Sequence, residues 1–218
     1  MKLSTRKLTS ILMIAGPIGV FTIWGILAEA IVGASEVDGV GNAGLYLQNA
    51  NSAGSIAGFF EIFGLLFFLA QLIGLVLFAR QLSKEGASGA AFANISAILA
   101  IVLMAVIAMA TDLGLSALAL GDKGLGAEAM ALAQISMGSG ASFGILFGLA
   151  NGLVAIPMIG QATTSTKKYL GFTFALLMVL LLITELFGLS LGEIVEIIIW
   201  LGASLVFVAA GVLNYRGE

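Results

Sequence analysis

The sequence predicts an all-α protein: a polytopic transmembrane bundle of six helices, with both termini on the cytoplasmic side. Three observations carry this expectation. Sixty per cent of the 218 residues are hydrophobic and only 10% are charged, whereas soluble domains carry about 25% charged residues. Mean hydropathy is +1.14, and six segments approach the roughly 20 apolar residues that cross about 30 Å of hydrocarbon. Finally, eight of the nine basic residues fall on one side of a six-span threading, with Lys123 the exception. Lys and Arg are retained on the cytoplasmic side of a membrane, so the threading fixes the expected orientation. The spans fill most of the chain, which reads as a single domain over residues 1–218 of a cell-membrane protein.

The first span covers about residues 10–32, after Lys2, Arg6 and Lys7, and places Thr22, Gly25 and Glu29 on one face. Its start also has the look of a secretory signal, with Ala28-Glu29-Ala30 as a small-residue cleavage site. The uncharged run is longer than a signal core of about 7–15 residues, so an uncleaved span is expected. The second span, about residues 55–78, has two clear faces. Phe59, Phe63 and Phe67 form an apolar stripe; Glu61, Gly64, Phe68, Gln71 and Leu75 follow the helical period on the other side. Glu61 lies about six residues inside the span, roughly 9 Å at 1.5 Å per residue, which is too deep for a short carboxylate to reach the interface.

The third span, about residues 91–113, is expected to turn Asn94, Ala97, Ile101, Ala105, Ala108 and Asp112 inward. Small residues between two polar ones allow another backbone to approach. The fourth, about residues 140–161, carries Gly140, Gly144, Gly148 and Gly152 at a spacing of four, with Asn151 beside them. Glycines in that register form a flat packing groove, to be filled either from within the bundle or by a second copy in a homo-oligomer. The fifth span, about residues 169–188, has Glu185 near its end. The sixth, about residues 191–213, aligns Glu193, Glu196, Trp200, Ala203 and Phe207. The two longer connections, residues 33–54 and 121–139, lie outside, and 127–137 is expected to be a short helix. Pro17 and Pro157 fall in the same third of the membrane, so no inverted repeat is indicated.

Under this threading Glu29, Glu61, Asp112, Glu185, Glu193 and Glu196 all fall in the outer half. An ionisable group within a span is costly and marks a functional candidate. The bland alternative is a set of hydrated helix ends, and Glu193 and Glu196 also sit where a helix dipole favours negative charge. The sharper expectation is an acidic cavity open to the outside that binds or transports a cation or small cationic solute. Glu61 and Asp112 would be its core ligands, with Glu29, Glu185 and Glu196 shaping the field. Gln71, Asn151 and Asn94 would line a polar path. Crowded carboxylates share protons readily, so proton coupling would follow.

Several classes of chemistry are disfavoured. The chain has no cysteine and no histidine, which removes disulfides, thiol redox, histidine-ligated haem and ordinary zinc sites. Ser-His and Cys-His catalytic pairs are likewise impossible. No enzyme and no cofactor is expected; the identity of any metal stays open. A net charge of −3 without extended basic clusters argues against nucleic acid. The Gly39–Gly44 stretch fits G-x-G-x-x-G, yet it falls in a loop after a membrane helix, where the dinucleotide mechanism lacks its strand.

Four local features recur together: Thr5-Arg6-Lys7 before the first span, a long outer connection, Leu77-Phe78-Ala79-Arg80-Gln81-Leu82 at the end of the second span, and Pro157 followed by Lys167-Lys168-Tyr169-Leu170-Gly171. In this order the chain resembles a domain-of-unknown-function family of six-span prokaryotic membrane proteins. The resemblance implies a fold and not an activity. A second functional expectation therefore stands beside cation binding: a non-catalytic membrane scaffold or assembly subunit that packs through the Gly140, Gly144, Gly148 and Gly152 groove.

Overall fold

Six helices are long and apolar enough to cross a membrane, in a computed structural model that describes residues 4–37, 40–189 and 193–217. Lys2, Asp38, Gly39 and the outer turn expected at Ser190 and Leu191 lie outside the described residues. The first span, Thr5–Ile31, is not uniform. It comprises α1 (Thr5–Val20), a π-helical stretch (Phe21–Ala28) and α2 (Glu29–Ile31). A two-residue antiparallel ladder follows, β1 (Glu36–Val37) with β2 (Val40–Gly41), in the register Glu36 to Gly41 and Val37 to Val40. Then come α3 (Ala43–Ala53), α4 (Ser55–Leu82), α5 (Ala90–Gly121), α6 (Gly126–Gly138), α7 (Gly140–Gly160), α8 (Ser165–Phe187) and α9 (Glu193–Arg216).

The helical class and the span count agree with the sequence, and α6 covers the short helix expected at 127–137. The expected connection at 33–54 contains a helix that composition did not suggest. Asn42 starts α3 by accepting a hydrogen bond from Leu45 N–H at 3.0 Å, the usual role of a polar N-cap. Gly54, at φ +63°, ends it in a conformation that costs other residues a steric penalty. The third span is also longer than predicted, since nothing in residues 114–121 breaks a helix before Asp122.

The chain divides into two compact units. One is built from Met1–Ile18, Leu69–Met104 and Ser142–Glu218; the other from Gly19–Phe68 and Ala105–Ala141. In the first, glycines bring backbones together. A Cβ at Gly16 would lie 2.5 Å from Gln71 N, and one at Gly74 would lie 3.0 Å from Met13 N. Ser96 donates across to the Ala150 carbonyl at 2.7 Å, and Phe174 meets Phe207 edge-on at 6.1 Å. Without a hydrophobic drive between helices in lipid, such close van der Waals contacts and interhelical hydrogen bonds provide the cohesion.

The second unit rests on two devices. A small core of Ala43, Leu47, Ala117, Ala129 and Ala133 joins α3, the end of α5 and α6. The indole of Trp24 lies against Gly64, where any side chain would overlap it, and donates to the Phe60 carbonyl at 3.2 Å. Trp24 also stacks on Phe68 with ring centroids 6.2 Å apart. The π-helical stretch around Trp24 therefore has a tertiary role, consistent with the tendency of such turns to aim a specific side chain.

Candidate cation-binding carboxylates

The α4 faces follow the predicted period. Gly64, Phe68, Gln71 and Leu75 are buried, while Phe59 and Phe63 are exposed. Glu61 lies between these faces, half-buried. Its carboxyl accepts a hydrogen bond from the Tyr46 hydroxyl on α3 at 3.3 Å. Tyr46 reaches it because Gly114 on α5 leaves room: a Cβ there would come 3.2 Å from the phenol oxygen. Close by, Ser136 on α6 donates to the Ala110 carbonyl at 2.8 Å. Burial, with the neighbouring Glu61 charge as a smaller contribution, raises the Tyr46 phenol well above the ordinary tyrosine range. The phenol is thus held in its neutral, donating form.

The third span turns a different face inward from the one periodicity suggested. Its buried stripe passes through Ala93, Ser96, Ala100, Leu103, Thr111, Gly114 and Ala117; of the expected face Ala97 is buried and Ala108 half-buried. Asn94, Ile101, Ala105 and Asp112 are exposed, and Thr111 takes the inward position beside Asp112. The reason is compositional: alanines occupy nearly every face of α5, so small-residue spacing does not select one. Glu29, with Thr22 and Gly25, also lies exposed. Of the expected polar path, Gln71 and Asn151 are buried. Asn151 donates to the Phe147 carbonyl at 2.9 Å, while its Oδ1 is without a partner.

In the other unit, Glu185 near the end of α8 and Glu196 near the start of α9 are both half-buried, on helices that pack against each other. Glu185 fits against Gly144, where a Cβ would overlap its carboxyl group. The glycine row is accordingly occupied from within the chain. Leu182 covers Gly148, Met178 Cβ would lie 3.4 Å from a Cβ at Gly152, and Gly140 faces open space. Three aromatic rings belong to the same part of this unit. Phe143, next to Gly144, stacks on Trp200 at 6.0 Å; Phe147 lies 4.9 Å from Trp200; and the two phenylalanines are 5.9 Å apart. Trp200 stands one turn beyond Glu196 on α9.

Two residues sequence reasoning passed over therefore matter. Tyr46 lies in the outer connection and Phe143 beside the glycine row, and neither was among the expected site residues. Among the described residues, no three Asp or Glu side chains gather to hold a metal ion. Carboxylates attract a positive charge directly, and the faces of aromatic rings attract one through their quadrupole. No family model, no curated protein and no solved structure matches the chain. Its functional reading therefore stands on its own geometry.

Proposed function

We propose that this multi-pass membrane protein binds a monovalent or organic cation at Glu185 and Glu196, on the outer side of a cell membrane with both termini in the cytoplasm. The observation that carries the reading is a half-buried Glu185 set over Gly144 and a half-buried Glu196 on the helix packed against α8, with Phe143 next to Gly144 and Trp200 one turn from Glu196. Like charges brought near one another repel, and a bound cation offsets the repulsion. The aromatic rings favour a cation that sheds water easily over a strongly hydrated metal ion. Glu61 is secondary in this reading, because its carboxyl already has the Tyr46 hydroxyl as a partner. Asp112 and Glu29 are exposed, belong to the other unit, and have no part in this reading.

The scaffold reading needs the glycine face to be available to a partner. Gly144, Gly148 and Gly152 already face α8 side chains, so that reading draws less support. The deciding experiment is a thermal-shift and binding panel on the detergent-solubilised protein, using sodium, potassium and tetramethylammonium across pH. Glu185→Gln and Glu196→Gln should each weaken any cation response by about tenfold, the order expected for one lost charge contact. If both variants respond like the parent, the carboxylate pair is not the site.

A further inference from the structure

At the opposite chemical extreme from the carboxylates, one unit holds a basic cavity of about 420 Å³. Arg6 from α1, Lys84 from the α4–α5 connection and Lys167 from α8 line it, and none of its lining residues is acidic. Its remaining wall is divided. Gln81, Gln161 and Asn214 supply amide groups; Phe78, Leu82, Met158, Leu170 and Leu213 supply an apolar surface. The volume lies within the range of small-ligand sites, about 300–1,000 Å³.

Two features indicate that the cavity is built for an anion. Arg6 and Lys167 occupy the first turns of α1 and α8, and neither helix has an acidic residue there. Positive side chains at helix N-termini oppose the helix dipole, so both helices carry an electrostatic conflict that a bound anion would relieve. The wall is also fixed in place by hydrogen bonds. Gln81 donates to Thr9 at 2.9 Å, and Gln161 donates to the carbonyls of Leu82 and Ser88 at 2.7 and 2.8 Å. Asn214 bonds to Ser10 at 3.1 Å, tying the end of α9 to α1. These bonds fix the amide part of the wall, while the three basic side chains are placed by the helices and connection that carry them.

We infer that this cavity binds the phosphate headgroup of an anionic lipid, with the upper part of an acyl chain on the apolar wall. A free phosphate would satisfy the three cations but leave the apolar wall unused, whereas an amphiphile meets both. The residues also come from the parts of the chain that the basic-residue bias assigns to the cytoplasmic side, where anionic lipids attract basic segments. This inference does not depend on the carboxylate pair.

The test uses the full chain purified in an uncharged detergent, with lipid retention read by native mass spectrometry and by thermal shift. Phosphatidylglycerol, phosphatidylcholine and inorganic phosphate are the three probes. Phosphatidylglycerol should bind and stabilise, and the other two should not. Neutralising Arg6, Lys84 and Lys167 to Gln one at a time should weaken phosphatidylglycerol by about fivefold each, the contribution expected per basic residue. Leu170→Trp, which fills the apolar wall and keeps every charge, should weaken it as well. Equal retention of the two lipids would overturn the proposal, as would unchanged retention in the Lys84→Gln and Lys167→Gln variants. Stabilisation by inorganic phosphate with the same Lys sensitivity would overturn the lipid assignment in favour of a soluble anion.

Discussion

Glu61 and Glu185 are both carboxylates within apolar helices, yet the two units treat them in opposite ways. In one unit the Glu61 carboxyl receives the Tyr46 hydroxyl, and the helix turn beside it is anchored by Trp24 on Gly64 and Phe60. In the other, Glu185 is set against Gly144, and α9, which carries Glu196, packs against its helix. A carboxylate given a neutral donor is satisfied within the fold. On the proposed reading, a carboxylate facing a like charge is completed by a bound cation. What distinguishes the two is the neighbour.

The contrast can be broken first at the glycines that make room for each arrangement. Gly64 accommodates a rigid indole, and Gly144 accommodates the flexible end of a glutamate. Gly64→Val should displace Trp24, lose its bond to Phe60 and cost about 3 kcal/mol, the upper end for overpacking. Gly144→Val should cost only about 1 kcal/mol, because the Glu185 carboxyl can swing aside, but it should abolish the cation response. Denaturation in mixed micelles measures both. Equal losses would mean that Glu185 is held as rigidly as the indole.

The smaller test is Tyr46→Phe, which removes one hydrogen bond and should cost about 1 kcal/mol. Its pH dependence has a definite sign. Burial raises the phenol above its ordinary value of 10.0, so the folded protein holds that proton more tightly than the unfolded chain does. The resulting stability is fully present below pH 10 and declines as pH rises above it. Thermal scans between pH 8 and 11 should show a decline in the parent that is reduced in Tyr46→Phe. Parallel curves would remove the phenol from the account of Glu61.

These expectations show which links were legible in the sequence. The six spans were, because a run of about 20 apolar residues has few alternatives in water. The faces of α4 were legible as well, since phenylalanines and glycines contrast sharply at helical spacing. On α5 the same method selected the Asp112 face, because alanines surround the helix and give no contrast. Helix α3 was hidden by a Gly- and Asn-rich composition, although Asn42 and Gly54 were present as its start and stop signals. The apposition of Glu185 with Gly144 was not legible at all. Spacing reveals that a groove exists on α7, but only tertiary packing decides that α8 fills it.

The smallest expected effect distinguishes the two carboxylates most directly, because only one of them should respond to a cation. In cation-free buffer, Glu185→Gln should raise stability by a few tenths of a kcal/mol: it removes a repulsion with Glu196, and both groups are partly exposed, so solvent screens most of the interaction. Glu61→Gln should change stability little, since the amide oxygen still accepts the Tyr46 hydroxyl and a half-buried charge is removed. Adding a cation that binds should stabilise the parent and leave Glu185→Gln behind, so the order of the two should invert as the cation is titrated. Salt effects that only screen charge would bring the curves together without crossing. Paired melts of the parent and Glu185→Gln, across tetramethylammonium concentrations at fixed ionic strength, separate these cases. A crossing requires a cation held by the pair; convergence would leave Glu185 and Glu196 as two hydrated helix-end charges.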